Sequence, residues 1–203
     1  MNTWIRFGLI AGSLAGLCAG TLIFSVAAQN AAEKGQKREQ KKDGQADWKR
    51  LLQERLPVYG HRNWIVIADS AYPAQSRAGI ETIATGGDQL TTVSAVLALL
   101  GKYRHIRPNV YLDAELPHVD EKYAPGIGAY RDQLKKLLGE RPFQSLLHEQ
   151  IIDKLDQAGE KFNVLILKTD LTLPYTSVFL ELNCGYWSDE AEQQLREAMK
   201  AQK

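Results

Sequence analysis

The run Trp64-Ile65-Val66-Ile67-Ala68 is apolar at every position. Successive strand residues point to opposite sides of a sheet, so a strand of this kind must be covered on both faces. Two further runs, over 162–167 and 176–182, are apolar enough to lie inside the same doubly covered sheet. Between them fall segments with helical spacing. Thr91 or Thr92 starts a helix to about Tyr103 with Val93, Val96, Leu97 and Leu100 on its apolar face. Ile127–Leu138 is amphipathic with Tyr130, Leu134 and Leu137 inward, and His148–Gln157 packs Ile151, Ile152 and Leu155. Asp47 caps a short helix to Arg55 before Pro57, Val110–Asp113 reads as another buried strand, and Ser188 caps a mostly polar helix ending near Ala201. This alternation predicts an α/β fold, a three-layer sandwich with a mainly parallel central sheet.

The chain has 203 residues, of which the first 46 lack globular patterning; the remainder suffices for one core. Arg6 precedes an apolar run from Phe7 to Ala28, and Val26-Ala27-Ala28 fits a signal-peptidase site. Residues 1–28 therefore read as a signal peptide or membrane anchor. About 22 apolar residues also suffice to cross a hydrocarbon core of roughly 30 Å. Gly8, Gly12, Gly16 and Gly20 would give such an anchor a bare face for close helix approach, although signal segments are rich in glycine anyway. Cleavage after Ala28 and export to the periplasm or exterior is the preferred expectation. Residues 29–46, rich in Gln, Lys, Glu, Ala and Gly, read as a flexible charged linker, and 47–203 as the folded domain.

A formal net charge of +1 supplies no electrostatic reason to expect nucleic acid. After cleavage Cys184 is the sole cysteine, which excludes an intramolecular disulfide and a Cys-rich zinc site. His61, His105, His118 and His148 lack the short-range spacing of a helical metal pair, so no metal is expected. The Gly126-Ile127-Gly128 and Thr85-Gly86-Gly87 pieces are too short to cradle a phosphate, and Ser70 is not in a nucleophile elbow.

What remains is proton chemistry. His61 and Asp69 bracket the first apolar strand, and an imidazole with a carboxylate is the pairing that proton transfer near neutral pH uses. Asp69, the 113–116 segment and the 168–174 segment fall at strand carboxyl ends, where ligands collect in α/β sheets. His61 does not. At about 3.3 Å per extended residue the two groups stand on the order of 20 Å apart. Either the chain bends so that they converge, or each site draws on neighbouring subunits.

The stretch from Gly60 to Gln75 resembles the opening signature of the D-ribose pyranase and L-fucose mutarotase family. Three later segments keep that family's order: Leu112-Asp113-Ala114-Glu115, Leu147-His148-Glu149-Gln150-Ile151, and Leu167-Lys168-Thr169 with Pro174-Tyr175-Thr176-Ser177 leading into a strand. Together they span roughly 47–187. Ser177 stands where the family usually carries Asn, replacing a two-sided amide by one hydroxyl.

The resemblance implies a cofactor-independent isomerase, a sugar mutarotase or pyranase, that opens a monosaccharide ring by acid–base catalysis. It implies catalytic roles for His61, Asp69 and His148, with His61 exchanging the anomeric proton and His148 as second proton carrier. Lys168, Tyr175 and Ser177 are implied to bind substrate, and assembly into a homo-oligomer with sites near subunit contacts is implied too. The alternatives are a non-catalytic monosaccharide-binding or scaffold domain of the same descent, or a membrane-tethered interaction module. For the N-terminus the expectation is direct: an intact mass of the processed protein corresponds to a chain beginning at Gln29, and a mass retaining residues 1–28 indicates an uncleaved anchor.

Overall fold

The structure, a computed structural model, describes residues 48–201. The expected signal or anchor segment, the linker and the Asp47 cap lie outside the described residues. Among the described residues no helix is long and apolar enough to cross a membrane.

A first helix, α1, occupies residues 48–55. It is followed by β1 (Trp64–Ala68), β2 (Ile80–Ala84), α2 (Gln89–Leu100), β3 (Ile106–Asp113), α3 (Ile127–Leu138), β4 (Phe143–Leu146), α4 (His148–Gly159), β5 (Val164–Lys168), β6 (Val178–Cys184) and α5 (Asp189–Ala201), with a 3₁₀ turn at Leu116–His118. The six strands form one sheet in the order β2-β5-β1-β6-β3-β4. Pairs β1–β5, β2–β5 and β3–β4 are parallel, whereas β6 runs antiparallel to both β1 and β3. The sheet is thus mixed rather than simply parallel. Five strands point one way, and the last enters between two of them in reverse.

Alternate residues of the central strands feed two separate cores, which is why β1 and β5 are apolar along almost their whole length and β6 is largely so. Ile65, Ile67, Leu165, Leu167, Val178, Leu180 and Leu182 face Trp48, Leu52 and Leu56 of the first helical stretch, Val93, Val96 and Leu100 of α2, and Ile127, Leu134 and Leu138 of α3. Trp64, Val66, Ala68, Val164, Ile166 and Phe179 face Ile151 and Leu155 of α4, together with Tyr72 and Tyr111. Helices therefore cover both faces, as strands with apolar residues on both sides require.

The segment Ile127–Leu138 forms as the sequence predicts, because its apolar spacing is bounded by Gly126 and Gly139, both at positive φ. The second helix begins earlier than expected, at Gln89. Asp88 caps it by accepting the Thr91 N–H at 2.7 Å, which lets Gln89 and Leu90 form the first turn. Two strands, β2 and β4, were not expected from the sequence. Their side chains are mostly half-exposed or exposed, as befits the two edges of the sheet, so neither carries the apolar run that marks an interior strand.

Ile65 is fully buried on a strand flanked by β5 and β6. Replacing it with Ala leaves a cavity that neither neighbour can fill, so Ile65→Ala lowers unfolding free energy by about 2–5 kcal/mol. Urea unfolding followed by tryptophan fluorescence measures the loss; a change below about 1 kcal/mol contradicts the two-sided burial of β1.

Candidate functional site

Because β6 runs in reverse, the loop that precedes it lies at the same sheet edge as the carboxyl ends of β1, β3, β4 and β5. Asp69 follows β1, Asp113 ends β3, His148 opens the helix after β4, Lys168 ends β5, and Tyr175 and Ser177 precede β6. Residues more than a hundred positions apart in sequence converge there. The Ser177 hydroxyl donates to Asp69 Oδ2 at 3.2 Å, and both residues are buried. The His148 ring lies edge-on to Tyr175 at 5.7 Å and to Tyr72 at 6.4 Å between centroids.

Asp69 does two things. Its Oδ1 accepts the Ala71 N–H at 2.9 Å, an Asx-type turn that ends the strand, while Oδ2 takes the Ser177 hydroxyl. The carboxylate that terminates β1 therefore also fixes the Ser177 side chain.

His148 is held from two directions. Its backbone N–H meets both oxygens of Glu115 at 3.1 Å, so a carboxylate from the end of β3 satisfies a free amide at the N-terminus of α4 and complements the helix dipole there. Its ring Nδ1 sits 3.0 Å from Asp113 Oδ1. The hydrogen bond to Asp113 raises the His148 pKa above the ordinary histidine value, reinforced by the charges of Asp113, Glu115 and Glu149 and opposed by partial burial. Burial raises the Asp113 carboxyl above the usual carboxylate range, against the pull of His148. Both shifts favour retention of a proton by the pair, and the ionic form with the proton on the imidazole is the one its neighbouring carboxylates stabilise. Burial, with help from the charges of Asp113 and Asp69, also drives the Tyr72 phenol well above its usual value, so it stays a neutral hydroxyl.

The loop carrying Tyr175 and Ser177 rests on a buried polar network. Gln89, on the first turn of α2, donates through Nε2 to Tyr130 Oη at 3.1 Å and to the Thr176 carbonyl. Tyr130 Oη donates to the same carbonyl at 2.7 Å, and Thr169 Oγ1 lies 3.0 Å from Gln89 Oε1 and 2.9 Å from the Ala68 carbonyl. Tyr175 itself takes a φ of 56°, uncommon for a residue with a side chain. The network on Thr176 holds the adjacent peptide in place and so maintains that conformation.

Of the residues the sequence singles out, Asp69, His148, Lys168, Tyr175 and Ser177 come to one edge. Lys168 makes no side-chain hydrogen bond to another described residue. His61 lies at the other edge, ahead of β1, where Arg62 donates its N–H to the Leu182 carbonyl near the end of β6. The turn there closes with the Gly60 N–H on Asn63 Oδ1 at 2.8 Å, and Arg62, not Gly60, takes the positive φ, at 75°. No bend brings His61 toward Asp69 within the chain. His61 is exposed to solvent. Asp113, Glu115 and Gln89 were not among the expected site residues. Their positions near capping or strand-end signals were visible, but their partners lie 33 to 87 residues away in the chain. Among the described residues no cluster of His, Cys, Asp and Glu has the geometry to hold a metal ion.

No protein-family model matches the chain, and no curated protein does either. Among solved structures it is similar to Bacillus subtilis RbsD complexed with D-ribose, at 21% identity over 64% of this chain and 88% of that one, with a TM-score of 0.44. It is likewise similar to FucU from Bifidobacterium longum, at 18% identity over 64% of this chain and 91% of that one, TM-score 0.43. The fucose mutarotase from Streptococcus pneumoniae in complex with L-fucose is similar at 18% identity over 64% and 89%, TM-score 0.43.

Removing the Gln89 amide takes one hydrogen-bond partner from each of the buried Tyr130 and Thr169 side chains and a donor from the Thr176 carbonyl. Gln89→Ala therefore destabilises the domain by about 1–3 kcal/mol in urea unfolding. A neutral effect contradicts the supporting role assigned to this network.

Proposed function

We propose that the domain is a cofactor-independent sugar mutarotase or pyranase-like isomerase. The observation that carries this reading is the convergence of four separate sequence segments, each resembling the mutarotase pattern, at a single sheet edge: Asp69, Asp113 with Glu115, His148, and Tyr175 with Ser177. The chemistry asks little of such a site. The anomeric hydroxyl loses its proton to a base as the C1–O1 bond becomes a carbonyl. The bond from C1 to the ring oxygen breaks with its electron pair moving to that oxygen, which takes a proton from an acid. Reclosure on the other face, or through another hydroxyl, reverses both transfers. No redox step or group carrier is needed, and acid–base groups at about 10²- to 10⁴-fold each supply the rate.

In this reading His148 is the acid, and Asp69, Lys168, Tyr175 and Ser177 hold sugar hydroxyls. The base is His61 of a neighbouring copy of the chain. Its exposure at the far edge of its own sheet leaves it free to reach another subunit's site, which makes the working particle a homo-oligomer. The N-terminal segment directs this domain out of the cytoplasm, either released after Ala28 or held at the membrane.

A non-catalytic monosaccharide binder of the same descent is favoured by one observation. The Ser177 hydroxyl is already committed to Asp69, so it offers a sugar less than an Asn amide would.

Magnetisation-exchange NMR with ribose, fucose, galactose and glucose separates the two. Turnover appears as accelerated exchange between ring forms, falling about 10²-fold or more in His61→Ala and in His148→Ala. If sites are shared, mixing the two inactive variants restores part of the rate. Saturable shifts without exchange identify a binder, and neither effect with any of the four sugars sinks both.

A further inference from the structure

We propose that Asp113 is a positioning residue for this site: its buried carboxylate grips His148 by Nδ1 and thereby makes Nε2 the atom that meets the ligand. Asp113 is 1% exposed, on the same side of β3 as Tyr111 and the apolar layer beneath α4. Its Oδ1 contacts the imidazole at 3.0 Å, while Oδ2 is buried with no hydrogen-bond partner among the described residues. A carboxylate retained only for stability would be expected to satisfy both oxygens, because each unsatisfied buried acceptor is costly. This one is spent on a single contact, to a histidine at a strand-end edge.

The ring has little freedom elsewhere. Glu115 pins the His148 backbone, Tyr72 and Tyr175 stand edge-on to the imidazole, and Nε2 makes no hydrogen bond to another described residue. With Nδ1–H directed at a carboxylate, the tautomer is set and Nε2 is the free nitrogen. The charged and titratable groups around the ring are Asp113 at the end of β3, Glu115 beyond it, Glu149 on α4, Tyr72 after β1 and Tyr175 before β6, with Asp69 behind Asp113. The carboxylates all favour the imidazolium. The consequence for sugar chemistry rests on the mutarotase reading: Nε2–H donates to the ring oxygen as the bond to C1 breaks, and recovers that proton on reclosure.

Long-range ¹⁵N–¹H spectra of the histidine rings in the full-length protein test the grip without requiring turnover. In the wild type, neutral His148 carries its proton on Nδ1. In Asp113→Asn, which preserves shape and removes charge, His148 titrates at lower pH and loses that single tautomer. With an exchanging sugar, Asp113→Asn lowers kcat about 10²-fold with a smaller change in KM. Because His148 acts in its protonated form, the rate falls as pH rises through its pKa, and this limb of the profile moves to lower pH in the variant. Adding Asp113→Asn to His148→Gln lowers the rate no further, since the aspartate acts through that histidine. A neutral His148 protonated on Nε2 in the wild type, an unchanged titration in Asp113→Asn, or an additive double variant overturns the proposal. If no sugar is turned over by the wild type, the isomerase reading fails, while the ¹⁵N spectra still decide whether Asp113 sets the imidazole.

Discussion

The antiparallel ladder that seats β6 between β1 and β3 is the constraint from which the site follows. Were this strand parallel to its neighbours, the loop before it would lie with His61 at the opposite edge, and Tyr175 and Ser177 could never meet Asp69 or His148. Register enforces the arrangement. Val178, Leu180 and Leu182 feed one core and Phe179 the other, so a one-residue slip would exchange the two sets and bury Glu181, whose carboxylate now accepts from Tyr111 Oη at 2.8 Å. Hydrophobic burial on two faces thus decides where a polar loop ends up.

Around that loop the interior is polar by design of contact rather than by exposure. Gln89, Thr169, Tyr130 and the Thr176 carbonyl are mutually satisfied, which removes most of the penalty of burying them and leaves a rigid seat. The Asp113–His148 pair is different, since one carboxylate oxygen is left over. A saturated network holds a backbone still; an unsaturated pair holds a proton ready. The two kinds of polar burial sit on opposite faces of one sheet, Gln89 on α2 and His148 on α4, and each fixes a different part of the same edge.

How much could be read in the chain itself varied with the range of the interaction. The span of α3 was legible because its periodicity and flanking glycines are local. So were β1, β5 and β6, whose largely apolar runs demand cover on both sides. The strands β2 and β4 were not, because an edge strand needs no continuous apolar face, and their pairing with β5 and β3 is a property of the sheet. In the site, His148 and Asp69 were legible as titratable groups in a suggestive setting. Asp113 was visible only as an acidic strand end, since nothing local says that its partner is an imidazole 35 residues later.

The amino-acid sequence alone determined that strands buried on both faces alternate with amphipathic helices, and which side chains could carry a proton, because burial and ionisation are properties of residues and their near neighbours. Only the tertiary structure decided that β6 reverses, that Asp69, Asp113, His148, Tyr175 and Ser177 share an edge, and that His61 stands away from them. Strand direction and order follow from the simultaneous packing of every element in the sheet, a global minimum that no single segment encodes.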